Sequence, residues 1–330
     1  MTLCDEGIFF DDIGSYPLPK GVRLESLSRD QYLQLVRDVL AQKVDAGVEV
    51  PTYPQFRDMI RMFMDPIEDP ELVESPYLIK KENANILELQ AIPPGQKVRV
   101  CVTGPVELYI SAFGATSYTD ILYNLAQSVA RFLGYAKDEG KMIVASLDEP
   151  SLGISSNIVF SQDEILKALE MASLPCRGMD CEVHLHSPLF AELCAQVPGI
   201  SIVGIESAAH PDFLKLIDRK LLEETDTYLR AGIARTDILS MAARLNDQKG
   251  VNLWDDMARL EKEILDLESP QIMKKRLDSA FSQFGERLRA TGPDCGLGSW
   301  PSQDLASRIL ANCAIALRAF RSEKKLLSHR

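Results

Sequence analysis

The sequence predicts an α/β fold, a TIM (β/α)8 barrel, on three observations. Apolar runs alternate along the chain with segments of 3.6-residue period about eight times, which implies parallel strands joined by returning helices. The polar residues that follow those runs fall at successive strand ends, where a barrel carries its chemistry. An open dinucleotide-binding sheet would show GxGxxG after an early strand, and neither that pattern nor a P-loop occurs. Residues 1–330 read as one catalytic unit, a size that α/β barrels reach as a single domain.

The elements follow in order. GIFFDDIGSYPLP reads as a short strand ending in a Gly-Ser-Tyr-Pro loop. SRDQYLQLVRDVLAQKVDAG is a helix that Ser28 or Asp30 can cap and that Gly47 follows. VEVPTYP is the next strand and loop; RDMIRMFM starts a helix, and the acidic DPIEDPELVESP reads as a surface excursion. KVRVCVTGP is a third strand closed by Gly104 and Pro105, and SYTDILYNLAQSVARFLGYAKDEG is a long helix with a Ser or Thr cap and a Gly stop. KMIVASLDEP is a fourth strand ending in acid, and SQDEILKALEMAS a capped helix. MDCEVHLHSP, ISIVGIES and YLRAGIARTDI are the next strands, with SPLFAELCAQV and PDFLKLIDRKLLE as the helices between them. The stretch from Leu239 to Phe281 is mostly helical, and SQFGERLRATGPDCGLGS carries the last strand and its loop. DLASRILANCAIALRAFRSEKKLL is a closing amphipathic helix, and the polar tail after Arg321 reads as frayed.

Composition narrows the function classes. The apolar content of 46% with 25% charged residues is that of an ordinary globular chain. A net charge of −12 argues against general nucleic-acid binding, which needs a basic face. The seven cysteines are sparse and odd in number, with no CxxC pair, so reduced thiols in the cytoplasm are expected. No signal peptide is evident in MTLCDEGIFFDD, and no apolar run approaches the ~18 residues that cross a membrane.

The strand ends carry the candidate chemistry. They hold Gly14-Ser15, Tyr53 with Arg57, Gly104-Pro105 with Glu107, Asp148-Glu149-Pro150, His186, Glu206, Arg235 with Asp237, and Asp294-Cys295. In a parallel barrel these ends meet on one face. His186, Glu206 and Cys295 would then bring an imidazole, a carboxylate and a soft thiolate together, a set that holds Zn²⁺ with one position open. His184, two residues before His186, lies on the same side of its strand and reads as a satisfied core histidine or an outer donor. For Glu206 the competing reading is a salt bridge with Arg235. Asp148 and Glu149 are the candidate catalytic carboxylates, one of them to receive a substrate ammonium group; the competing reading is a cap. The other six cysteines read as structural.

Six short motifs, in the right order over nearly the whole chain, resemble the C-terminal catalytic barrel of cobalamin-independent methionine synthase. That barrel belongs to the superfamily that also holds uroporphyrinogen decarboxylase. The motifs are IGSYP, VTGP, LDEPSL, HLHS, GIES and GPDCGLGS. The chain resembles the short, archaeal-type single-barrel forms. The resemblance implies a methyltransferase that moves a methyl group to a small thiol such as homocysteine. It makes His186, Glu206 and Cys295 the zinc ligands, Ile13, Gly14 and Ser15 the cradle of the substrate carboxylate, and Asp148 the partner of its ammonium group.

Three departures stand out. Pro188 occupies the position of a family cysteine two residues after the zinc histidine, which leaves three protein ligands. Tyr53 replaces a second acidic contact to the substrate, and Leu239 replaces a histidine assigned as proton donor to folate. A folate nitrogen leaves poorly without protonation, whereas a methyl–cobalt bond needs no acid. The expected donor is therefore a methylated corrinoid, carried by a partner protein. The rival expectation is a diverged barrel that binds a ligand or corrinoid protein without methyl transfer, or one that methylates another thiol such as coenzyme M.

Overall fold

The computed structural model describes residues 7–328; Cys4 and the acidic start of the chain lie outside them. In chain order the strands are β1 (Phe9–Phe10), a small antiparallel pair β2 (Val73–Ser75) and β3 (Leu78–Ile79), β4 (Val98–Thr103), β5 (Met142–Asp148), β6 (Asp180–Leu185), β7 (Ile202–Ile205), β8 (Tyr228–Ala234) and β9 (Leu288–Pro293). Seven of them form one curled sheet in the order β1-β9-β8-β7-β6-β5-β4, parallel throughout. The helices are α1 (Arg29–Asp45), α2 (Arg61–Glu68), α3 (Pro105–Phe113), α4 (Thr119–Asp138), α5 (Gln162–Ser173), α6 (Ala191–Ala195), α7 (Arg219–Glu224), α8 (Ile238–Lys249), α9 (Met257–Leu267), α10 (Pro270–Phe284) and α11 (Gln303–Ser328). Among the described residues no helix is long and apolar enough to cross a membrane.

The sequence VEVPTYP forms no ladder of its own. Pro51 and Pro54 have no N–H to donate, so a continuous strand there is interrupted. Val50 still bridges Asp11, and Thr52 bridges Arg99, both in parallel. This one segment therefore touches both β1's continuation and β4, the two edges of the sheet.

Capping residues fix the helix starts. Ser28 and Ser161 each form a capping box, with Gln31 and Glu164 respectively, as their sequence patterns predict. The cap expected for α4 is absent: Tyr118 occupies the N-cap without a side-chain bond, and the Thr119 hydroxyl donates instead to Glu164 at 2.7 Å. Two pieces depart from the sequence reading. DPIEDPELVESP contributes the short β2–β3 pair rather than a bare excursion. The tail after Arg321 continues as helix to Ser328, with Glu323 paired to Lys274 at 2.7 Å and the Lys324 ammonium 4.1 Å from the Phe281 ring centre.

The seven strands of the curled sheet are buried almost throughout, and one interior layer is charged rather than apolar. Asp11, Arg99, Glu182 and Arg230 come from β1's continuation, β4, β6 and β8, and none is exposed. Arg230 Nε lies 2.7 Å from Asp11 and 3.8 Å from Glu182, while Arg99 Nη2 lies 3.0 Å from Glu182 and Arg99 Nε 3.5 Å from Asp11. The two cations and two anions compensate one another. That is the condition under which buried charge is tolerated.

Candidate metal centre

β6 positions the first two donors. Its side chains alternate, so Glu182, His184 and His186 share one side. His184 lies inside the strand and is almost fully buried; His186 follows its last residue and is 30% exposed. Glu206 is the first residue after β7, and Cys295 lies two residues past β9. The parallel register brings these ends together. His186 Nε2 is 3.2 Å from Glu206 Oε1 and 3.4 Å from Cys295 Sγ. The His184 and His186 rings stand 5.3 Å apart at 77°. One ligand atom from each of His184, His186, Glu206 and Cys295 lies within 4.8 Å of all the others, so the four can hold a metal ion.

Outside the cluster, Glu182 Oε1 stands 3.9 Å from His184 Nδ1, beyond hydrogen-bond distance. Both ring nitrogens of buried His184 lack a hydrogen-bond partner, a costly state for a polar group removed from water. The expectation of a satisfied core histidine is not met, since both ring nitrogens are unpartnered; His184 stands close enough to His186, Glu206 and Cys295 to be a further candidate donor, inner or outer. Pro188, itself buried, opens a 3-10 turn, Pro188–Phe190, and is not among the four clustered residues. The salt bridge considered for Glu206 is not made either. Arg235 grips Asp237 instead, with bonds of 2.9 and 2.6 Å.

Without an ion the cluster is driven toward its uncharged form. Burial raises Glu206 to about 8, with Asp294 adding to the effect. Burial also raises Cys295, with Glu206 contributing, and lowers both His184 and His186. Two imidazoles, a carboxyl and a thiol that all give up charge by default form a donor set that fits a borderline-soft divalent ion such as zinc. The fit rests on the donors and on the unpartnered His184 nitrogens.

The other residues singled out in the sequence fall at varied distances from this chemistry. Asp148 ends β5 directly beside His184 in register and is buried; Ser146 Oγ donates to its Oδ1 at 2.7 Å. Burial raises its pKa, and Arg99 opposes that. Ser15 rests on the loop after Cys295: the Leu297 amide donates to its carbonyl at 2.8 Å and the Gly298 amide to its Oγ at 3.3 Å. A Cβ at Gly296 would lie 1.8 Å from Ser15 Oγ, so only glycine admits this approach. Ile13 is buried beside Gly14, whose carbonyl accepts from the Gln55 amide at 2.9 Å. Glu149 turns to the start of α3. Its two oxygens accept the Val106 and Glu107 amides at 3.0 and 2.7 Å, the capping role that competed with catalysis. Tyr53 is fully buried, and its hydroxyl donates to the Cys101 carbonyl at 2.6 Å. Leu239 lies 65% exposed in the first turn of α8.

The chain shares its fold with a B12-independent methionine synthase. That structure, from Shewanella sp. W3-18-1 in complex with selenomethionine, superposes with a TM-score of 0.67 at 14% identity, covering 98% of this chain and 99% of that one. GH5_18 from Streptomyces cattleya in complex with GlcNAc superposes with a TM-score of 0.55 at 10% identity, covering 96% and 81%. At such identities the likeness is one of fold. No family model and no curated protein matches the chain.

Proposed function

We propose that this chain is a zinc-dependent methyltransferase of the methionine-synthase-like barrels, moving a methyl group from a methylated corrinoid to a small thiol such as homocysteine. In this reading residues 1–330 are one catalytic unit, a closed (β/α)8 barrel in which the bridges of Val50 and Thr52 join the sheet edges. The observation that carries it is the four-donor cluster of His184, His186, Glu206 and Cys295, with Asp148 adjacent across β5 and β6.

In the proposed reaction Asp148, buried and hydrogen-bonded through one oxygen, offers its other oxygen to a substrate ammonium group. The Ile13-Gly14-Ser15 loop, pinned to the loop of Cys295, offers amide and hydroxyl donors to a carboxylate. Zinc, when bound, lowers the pKa of the acceptor thiol so that it reacts as thiolate at neutral pH. Glu206 and Cys295 give up their protons on loading, and partly exposed His186 and Glu206 open the site to the incoming thiol. Exposed Leu239 offers no proton at the rim, which supports a corrinoid donor, delivered by a partner protein, over a folate. The proposed location is the cytoplasm, where six described cysteines remain free.

A second reading keeps the methyl transfer and changes the acceptor. Tyr53, in the place of an acidic contact, is sealed in the core and holds the Cys101 carbonyl. That favours a thiol without an ammonium group, such as coenzyme M. Zinc reconstitution followed by thiol methylation from methylcobalamin, with homocysteine and coenzyme M side by side, tests both readings. Zinc-dependent product is expected. A protein that takes up no metal overturns the zinc mechanism, and a metal-loaded protein that methylates neither thiol points to a binding barrel.

A further inference from the structure

Glu206 and Cys295 arrive on different strands, yet their donor atoms must be held at ligand spacing. We infer that Asp294 is the positioning residue that locks the two ligand loops together. Its carboxylate accepts the amides of Ala208 at 2.8 Å and Ala209 at 2.7 Å, just beyond Glu206. Its own backbone leads directly into Cys295. The loops are also tied to β8. Asp294 N–H donates to the Ala234 carbonyl at 2.8 Å, and Ser207 Oγ donates to the Gly232 carbonyl at 2.9 Å. One carboxylate thus closes a triangle whose third side is β8.

Two observations separate this role from ligation and from ordinary packing. Both Asp294 oxygens are occupied by amides, and Asp294 is not part of the four-donor cluster. It therefore acts on an ion only through Glu206 and Cys295. The strand beside it is also shaped to admit the carboxylate. A Cβ at Gly232 would stand 1.8 Å from Asp294 Oδ1, so β8 leaves room for this group only with glycine there. Charge-assisted bonds to two successive amides make a short, stiff link. Groups behind metal ligands that fix their orientation typically change affinity about 10–100-fold when removed.

This inference rests on the metal reading of the cluster, and its test separates the two. The full chain and D294N are compared by zinc competition against a chelator and by the ligand-field absorption of the Co²⁺-loaded proteins. D294N keeps the size of the side chain but turns an NH₂ toward one of the two amides. Zinc affinity is expected to fall about 10–100-fold, with altered Co²⁺ bands. A residue that merely supports the fold would lower thermal stability and leave both metal readouts unchanged. G232A acts from β8, setting a methyl 1.8 Å from Asp294 Oδ1 and 3.0 Å from its Cα, and is expected to mimic D294N; in a D294A background it should add little further loss. G232A also decides the question if D294N fails to fold. Wild-type affinity and spectrum in the folded variants overturn the clamp alone. A wild-type chain that binds neither ion overturns the metal reading beneath it.

Discussion

Glu182 and His184 lie two residues apart on one side of β6, both buried, and their surroundings differ in one respect. Glu182 sits among two arginines and a second carboxylate, so the layer it belongs to is balanced in charge. His184 sits with His186, Glu206 and Cys295, and among the described residues no lysine or arginine forms an ion pair with that cluster. The lower layer sets two cations against two anions within the fold, and burial still raises Glu182 to about 7. In the upper one burial raises Glu206 and Cys295 and lowers both histidines. Buried charges of opposite sign that compensate one another speak for the fold; a set of metal-ligating donors with no lysine or arginine paired to it speaks for a ligand.

The largest expected effect breaks the lower layer. Arg230→Met keeps much of the bulk but takes from Asp11 the closer of its two cations, and should cost about 3–5 kcal/mol in denaturant unfolding. A loss within the range of ordinary surface substitutions would show that the layer is not electrostatically self-contained. In the upper set, His184→Ala and His186→Ala should each weaken zinc by more than about 100-fold, beyond what loss of an outer-shell group causes. Chelator competition reads this. If His184→Ala binds zinc as tightly as wild type, His184 returns to the status of a core residue and the site has three donors.

The two regions should also differ with pH. Glu206, raised to about 8 from a usual 4.5, favours the metal-free fold fully below about 4.5 and loses that contribution as pH climbs toward 8. Asp294, raised to about 6, acts in the same direction. Metal-free protein should therefore lose stability across that window, whereas zinc affinity should rise, because loading expels protons from Glu206 and Cys295. Thermal melts with and without zinc between pH 5 and 8.5 check both trends; zinc affinity independent of pH would remove Glu206 and Cys295 from the ligand set. The smallest effect concerns Glu149. Replacing it by glutamine should cost about 1 kcal/mol through the weakened cap of α3 and leave zinc affinity unchanged.

The strand–helix alternation was readable because each barrel strand brings its own apolar run, and the capping boxes of Ser28 and Ser161 were readable because they are local. The β2–β3 pair was not, since strands of two or three residues carry no measurable period. His186, Glu206 and Cys295 were legible as polar residues that follow apolar runs. The spacing of two puts His184 on the same face as His186, but a histidine within an apolar strand is, taken alone, most often satisfied by a neighbour, and sequence does not reveal that both its nitrogens are unpartnered. The role of Asp294 was out of reach, because its partners are amides 86 and 85 residues away in sequence. The competing readings of Glu149 and Glu206 turn on which donor or cation lies across the barrel, and sequence order does not reveal that.

X-ray absorption at the zinc edge on the reconstituted full chain, with metal stoichiometry measured on the same sample, tests the central claim most directly. The account predicts one zinc per chain, with two imidazole nitrogens and one carboxylate oxygen at about 2.0–2.2 Å and one thiolate sulfur at about 2.3 Å. A chain that retains no stoichiometric zinc, or a shell without sulfur or without the second imidazole, would contradict it.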